Sequence, residues 1–347
     1  MKIAWASSRV LRSELCSTTQ INLANGLANR GHEVRFYSPG KSDSDSFHHV
    51  PIKQSKFRGF QASSVSTHLM SRIEELNKAD VVLVDWTLSK LVSRMKKPVI
   101  LMDRSPPANR GVLASLQWRF WKKSWRSAVK GTVVSQKHLD FVIDKISKDD
   151  SSIKILPAGV DLDLFRPLEK AGPIKLVYHG RVDVHRGVMS LPMILAGLHS
   201  QGVEATLHIH GTGDALARLK NIDMEGLEVT EAIPQEELAS KLGAYDVGLL
   251  PMPEDKVWNL ASPLKRSEYL ACGMIVCGID HSGHQIESSG DWLKLYSQKD
   301  FIKNTVSWVK SLDRESLHSL QKDSRKYAEN NLSWSHSVDA LESIILS

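Results

Sequence analysis

Two guanidinium groups five residues apart, Arg181 and Arg186, lie in Gly180-Arg181-Val-Asp-Val-His-Arg186-Gly187, directly after an apolar run that ends at His179. Arginine forks match phosphate oxygens, keep their charge at any working pH and offset negative charge gathering on a leaving diphosphate. Taken alone the pair is equally a solvated surface feature, so the neighbouring loops decide its meaning. His210-Gly211-Thr-Gly213-Asp214 is a glycine turn that lets backbone approach a ligand, or simply a tight turn. Ala261-Ser262-Pro263-Leu264-Lys265 opens a helical stretch with Ser262 as its expected cap, and the free N–H groups at such a start hold phosphate. Glu268, further along that stretch, could accept two hydrogen bonds from a ribose diol; the plain alternative is a helix salt bridge.

Such residues need strands to position them. Short β-branched runs alternate with helical stretches along the whole chain, the pattern of parallel βα units. Strands are expected at Lys2–Ser7, Glu33–Ser38, Val81–Trp86, Val99–Asp103, Thr132–Ser135 and Ile153–Leu156 in the first half. The second half repeats the rhythm at Lys175–His179, Thr206–His210, Leu227–Thr230, Val247–Leu250, Ile275–Gly278 and Leu293–Tyr296. The spacing predicts an α/β protein of two doubly wound, Rossmann-like parallel sheets, over residues 1–168 and 169–330. Ligands of such sheets sit outside the carboxyl ends of the strands. Residues 42–66, rich in Ser, His and Lys, read as an irregular surface loop. In 331–347, Trp334, Val338, Leu341, Ile344 and Ile345 recur at threes and fours, the mark of an amphipathic helix that packs on the second domain or crosses back to the first.

Composition narrows the classes. A chain of 347 residues exceeds what one core organises, and 41% apolar with 24% charged residues excludes disordered and fibrous proteins. Cys16, Cys272 and Cys277 are odd in number without a CxxC pair, which argues against a disulfide framework or a zinc site and for a reducing compartment. No apolar run reaches the roughly 18 residues of a membrane span, and no leader-like segment follows Met1, so a cytoplasmic protein is expected. Residues 1–170 carry 28 Lys+Arg against 16 Asp+Glu (net +12) and residues 171–347 carry 17 against 23 (net −6). The basic half should meet an anionic partner: nucleic acid, an anionic membrane surface or a phosphorylated acceptor. No helix-turn-helix, zinc or OB pattern accompanies it, so nucleic acid is the poorest of these. Arg110–Lys130 interleaves Trp118, Phe120, Trp121 and Trp125 with Arg119, Lys122, Lys123, Arg126 and Lys130, either an interfacial helix for an anionic bilayer or a helix whose tryptophans face the core. Asp43-Ser-Asp45 and Asp161-Leu-Asp163 are the candidate metal motifs, one in a polar loop and one at the domain junction, and neither is expected to bind metal.

The order of these features resembles the retaining GT-B glycosyltransferases of glycosyltransferase family 4 along essentially the whole chain. The likeness runs through Asn29-Arg30-Gly31-His32-Glu33-Val34, Pro157-Ala-Gly159-Val160-Asp161 with Phe165 and Pro167, Gly180-Arg181 with Arg186-Gly187, and Gly211–Gly213. It continues through Ser262-Pro263-Leu264-Lys265, Glu268-Tyr-Leu-Ala-Cys-Gly273 and Leu332-Ser333-Trp334. The resemblance implies a GT-B fold of two facing domains with the last helix crossing back, a nucleotide-sugar donor on the second domain, an acceptor on the first, and no metal cofactor. The acceptor would be a glycan, glycolipid or lipid-linked precursor. By resemblance Arg181 and Arg186 bind the donor diphosphate at Gly180, Glu268 takes the ribose, and the Ser262–Lys265 turn offers phosphate-binding backbone. Retention by front-face attack would then need little side-chain acid or base. Two departures matter: Leu260 stands where the family often has a second glutamate, leaving Asp255 and Asn259 as candidates for the sugar, and Arg9-Val-Leu-Arg12-Ser13-Glu14 replaces a glycine pair. Asp103-Arg104 occupies the place of a frequent histidine, so Asp103 is expected to orient the acceptor or the sugar, or else to form a buried pair with Arg104. A GT-B protein that binds nucleotide sugars without transfer, or a nucleotide-sugar epimerase, are the alternatives.

Overall fold

The computed structural model describes residues 1–11, 17–57, 59–107, 112–255 and 258–347, with the side chains of 112–114 left aside. Cys16 and the Arg12–Glu14 stretch lie outside the described residues. The chain divides into two compact units, residues 1–158 with 334–347, and residues 159–333.

The first unit is built on seven parallel strands: β1 (Lys2–Ala6), β2 (Glu33–Ser38), β3 (His48–Pro51), β4 (Val81–Asp85), β5 (Val99–Met102), β6 (Lys130–Val133) and β7 (Ile153–Ile155), in the order β3-β2-β1-β4-β5-β6-β7. The two-residue period of a strand sends alternate side chains to opposite faces. Ile3 and Trp5 of β1 pack with Leu83, Leu23, Leu27, Val338 and Leu341, while Ala4 and Ala6 pack with Val82, Leu69, Trp121 and Trp125. The sheet is therefore covered on both sides, as parallel sheets require. Strand β3 and the first part of the helix Gln61–Met70 fall inside the stretch expected to be an irregular loop. The strand is short and polar at the sheet edge, its pairing with β2 running from Arg35↔His48 to Ser38↔Pro51, so no apolar run announced it.

The closing helix, Trp334–Leu346, belongs to this first unit and lies on the helix Ser17–Asn29. Close approach there needs a residue without a side chain, since a Cβ on Gly26 would fall 2.3 Å from a Val338 methyl. The segment Asn29–Val34 supplies the polar latch. Arg30 reaches Asp339 at 2.5 Å and Glu342 at 2.7 Å, and His32 Nε2 lies 2.8 Å from the other oxygen of Glu342.

The second unit repeats the plan with β8 (Ile174–Arg181), β9 (Ala205–Thr212), β10 (Leu227–Thr230), β11 (Val247–Leu250), β12 (Ile275–Ile279) and β13 (Leu293–Tyr296), all parallel in the order β10-β9-β8-β11-β12-β13. In both sheets the strand order reverses beside the first strand, between β1 and β4 and between β8 and β11. Those are the switch points where a crevice opens at the carboxyl ends.

Candidate functional site

At the switch point of the second unit, β8 delivers Tyr178, His179, Gly180 and Arg181, and a short turn returns Asp183 and Arg186 to its end. Arg181 donates from Nη2 and Nε to the two Asp183 oxygens at 2.9 and 3.1 Å, and Arg186 Nε stands 3.5 Å from Asp183 Oδ2. Asp183 was not singled out in the sequence, although it sits midway between the two arginines it organises. Its burial works to raise its pKa, but the Arg181 hydrogen bond, the Asp214 N–H and both guanidinium charges outweigh burial and hold the carboxyl below its usual value. The arginines are thereby fixed before any ligand arrives. Gly187 is needed at φ +74°, where an added Cβ would strike the Pro251 carbonyl at 2.2 Å, so the loop after β11 closes directly over this turn.

The helix Leu264–Ala271 faces β8. Its cap is Pro263, with extended ψ of 125° and no side-chain bond, so Ser262 is not the cap expected from the sequence; its hydroxyl instead lies 3.5 Å from Arg266 Nη2. Leu264 is the first helical residue, and Lys265 sends Nζ to 4.0 Å above the Tyr178 ring and within 3.2 Å of the space beside Gly180. Burial, then the charge of Arg186, push the Lys265 ammonium down to about 7, with Glu268 pulling the other way. Glu268 is buried and its Oε2 meets His179 Nε2 at 3.1 Å, a partner at the last apolar position of β8 that sequence reasoning passed over.

Gly211 and Gly213 serve the sheet. Gly211 pairs with Gly180 across β8 and β9, and a Cβ on it would fall 1.9 Å from the Gly180 carbonyl; on Gly213 it would fall 2.1 Å from the Val182 carbonyl. Close strand packing accounts for both without a ligand. Trp258 adds an aromatic lining: it stacks on His185 at 5.5 Å and lies 5.5 Å from the Arg186 guanidinium. Leu260 is buried, and Asn259 Nδ2 donates to Glu254 while its side-chain Oδ1 is buried without a partner. Behind them His281 and His284 pack ring to ring at 3.8 Å, with burial lowering the pKa of both.

Asp103 is corrected. Its side chain is fully buried, and Oδ2 accepts from Trp121 Nε1 at 2.6 Å and Trp125 Nε1 at 2.8 Å, with His138 Nε2 at 3.3 Å. It organises the core under the sheet, and Arg104 donates instead to the Leu156 carbonyl. The interfacial reading of 110–130 changes with it. Trp121 and Trp125 are wholly buried, and the face left to solvent is Leu116, Arg119, Phe120, Lys123 and Arg126, with Arg110 outside the described residues.

At the switch point of the first unit the sequence points to Arg9 and Arg104 but not to the buried polar residues between them. Asp85 ends β4 and accepts from Ser7 Oγ at 2.5 Å and from Gln20 Nε2 at 3.2 Å, all three buried, while Ser8 and Thr87 bond to each other at 2.7 Å. Arg9, Thr87, Arg104 and Ser105 line a small slot of about 20 Å³ beside it. Burial raises the Asp85 carboxyl to about 6 against the Ser7 bond, the Arg9 charge and the Gln20 bond. As for the metal motifs, Asp161 Oδ1 accepts from the Asp163 and Leu164 N–H groups in a local turn, and no cluster of three metal-binding side chains occurs among the described residues.

Residues 17–164 match Glycosyltransferase Family 4. They form a domain of that family. Over the whole chain the structure is similar to sucrose-phosphate synthase from Thermosynechococcus elongatus, with TM-score 0.77, 15% identity and coverage of 100% of this chain and 98% of that one. It is likewise similar to WaaG, a glycosyltransferase involved in lipopolysaccharide biosynthesis (TM-score 0.73, 14% identity, 99% of both chains). Anabaena Alr3699/HepE, solved with UDP and glucose, matches at TM-score 0.70 and 11% identity, over 100% of this chain and 99% of that one. No curated protein matches by sequence. The fold is GT-B, and the reading of the chain as a glycosyltransferase stands.

Proposed function

We propose that this glycosyltransferase takes a nucleotide sugar on its second domain and passes the sugar to a hydroxyl of an acceptor bound by the first. The observation that carries the reading is the convergence of Arg181, Arg186 and Lys265 on the end of β8 with the Glu268–His179 pair beside them. Three cations suit a diphosphate, and a buried carboxylate braced by histidine suits a ribose diol. HepE binds UDP and glucose on the same fold, which supports this donor class. With side-chain cations placed to neutralise the leaving diphosphate, no divalent metal is required, and front-face transfer with retention needs no further acid or base. On the first domain the polar group around Asp85, Ser8, Thr87 and Arg104 offers both donors and acceptors for sugar hydroxyls of a glycan or lipid-linked acceptor.

The free, buried thiols of Cys272 and Cys277 fit a cytoplasmic setting. No helix among the described residues is long and apolar enough to cross a membrane, and peripheral attachment would use Leu116, Phe120 and the basic residues around them. Calorimetric titration with UDP-glucose, GDP-mannose, ADP-glucose and TDP-glucose, with and without EDTA, tests the donor reading. EDTA-insensitive binding with slow release of nucleoside diphosphate is expected, and silence across the panel would refute it. Co-sedimentation with phosphatidylglycerol vesicles, lost in Phe120→Glu, tests the attachment.

A further inference from the structure

The donor site holds more positive charge than its own carboxylates answer. Asp183 accepts from Arg181 and lies 3.5 Å from Arg186 Nε, and Glu268 lies 3.1 Å from His179 Nε2 without a hydrogen bond between them. Lys265 Nζ makes no hydrogen bond or ion pair with the described residues; its one contact of note is the Tyr178 ring at 4.0 Å. Arg186 Nε is also buried without a hydrogen-bond partner, since Asp183 at 3.5 Å is an ionic neighbour only. Both donors stand at the end of β8, whose penultimate residue is Gly180 at φ +114°, and the missing side chain leaves the space in front of Lys265 open.

We infer that seating a nucleoside diphosphate against the ε-amine of Lys265, the third cation of the donor site, draws one proton from solvent onto its nitrogen lone pair. The inference rests on the donor reading above and adds to it the coupling to protons. The protein around the amine offers little to hold its charge above neutrality. From β8 it faces Tyr178; from the following turn, Arg186 repels a second charge; on its own helix Glu268 attracts one but is shared with His179; and from the loop after β12, His284 lies within electrostatic range. Burial and Arg186 together bring its pKa to about 7. A bound diphosphate supplies the counter-charge the site lacks and returns the amine to its ammonium form. Donor affinity must then fall as pH rises above neutrality, because the proton becomes scarcer; below neutrality the ammonium is already present and the dependence vanishes.

Whichever nucleotide sugar of the panel binds is titrated in buffers of different ionisation enthalpy; its diphosphate diester does not itself titrate near neutrality. Wild type should take up roughly one proton at pH 8 and close to none at pH 6. Lys265→Met should bind at least tenfold more weakly at pH 6 with no uptake at either pH. Lys265→Arg, permanently charged, should keep binding within a few-fold and also lose the uptake, which guards against a misfolded methionine variant. Tight binding by wild type without proton uptake at pH 8, or full uptake by either variant, overturns the inference while leaving the donor reading intact. Failure of every nucleotide sugar to bind removes the donor reading, and this inference with it.

Discussion

Replacing Asp85 by asparagine should make the first domain more stable at neutral pH and leave it unchanged in acid. The carboxyl is buried at the end of β4 and titrates at about 6 in the fold, against 3.8 for an ordinary aspartate. Raising a carboxyl pKa means that the folded state holds the proton more tightly than the unfolded one. Stability is therefore fully present below about 4, declines as pH rises from 4 to 6, and stays low above that range. The whole shift corresponds to about 3 kcal/mol, an upper figure for what the ionised carboxylate costs at pH 7. Asparagine retains an oxygen to accept from Ser7 and Gln20 without carrying charge. Hydrogen exchange at the β1 and β4 amides, in wild type and Asp85→Asn at pH 5 and pH 8, reads the effect locally. Slower exchange in the variant at pH 8, with about half that effect in free energy at pH 5, is expected. Equal effects at both pH values, or faster exchange in the variant at pH 8, would show that the carboxylate is satisfied and that the reasoning about its desolvation is wrong. A charge kept at such cost at a switch point points to use by a ligand, so transfer activity should fall in the same variant.

Arg181→Ala and Glu268→Gln should each weaken nucleotide-sugar binding by roughly ten- to a hundredfold, the loss of one or two charge-assisted hydrogen bonds, with melting little changed for the half-exposed arginine; unchanged affinity in calorimetry counts against the site. Trp125→Ala should destabilise the first domain by about 3–5 kcal/mol in urea unfolding, because it opens a cavity and takes a donor from buried Asp103; a well-folded variant deficient only in vesicle binding would restore the interfacial reading of the tryptophans. Glu342→Ala removes one of the two carboxylates on Arg30 and the partner of His32 and should cost roughly 1 kcal/mol, read as earlier proteolysis of the last helix at unchanged core melting.

The sheets were legible because their strands are buried on both faces and so appear as unbroken apolar runs, and all twelve expected strands match observed ones to within two residues at either end, Thr132–Ser135 being shifted by two toward Lys130. The edge strand His48–Pro51 escaped because an edge needs no apolar run. Arg181, Arg186 and Glu268 were legible as charges in loops at strand ends. Their partners were not: Asp183 and His179 become meaningful only when the turn after β8 folds back and the helix Leu264–Ala271 docks, contacts set by three-dimensional packing rather than by spacing. Asp103 misled for the converse reason. It follows a strand, as a ligand-binding residue would, but two indoles from the helix Val112–Ser127 reach it first.

The motifs that carry the family likeness therefore divide by what they touch. Asn29–Val34 latches the last helix through Arg30 and His32, Asp161 closes a local turn, and Gly211 and Gly213 let two strands meet. These hold the fold and say nothing of chemistry. Arg181, Arg186, Lys265 and Glu268 make few contacts that folding itself demands: Lys265 has no ion pair and its pKa is pushed down, and Arg186 Nε is buried without a hydrogen-bond acceptor. A chain that kept the first group and lost the second would fold as this one does and bind no donor. Substituting Arg181, Lys265 and Glu268 together by Met, Met and Leu should accordingly raise the melting temperature of the second domain while abolishing nucleotide-sugar binding, and a fall in melting would mean that these charges are structural after all.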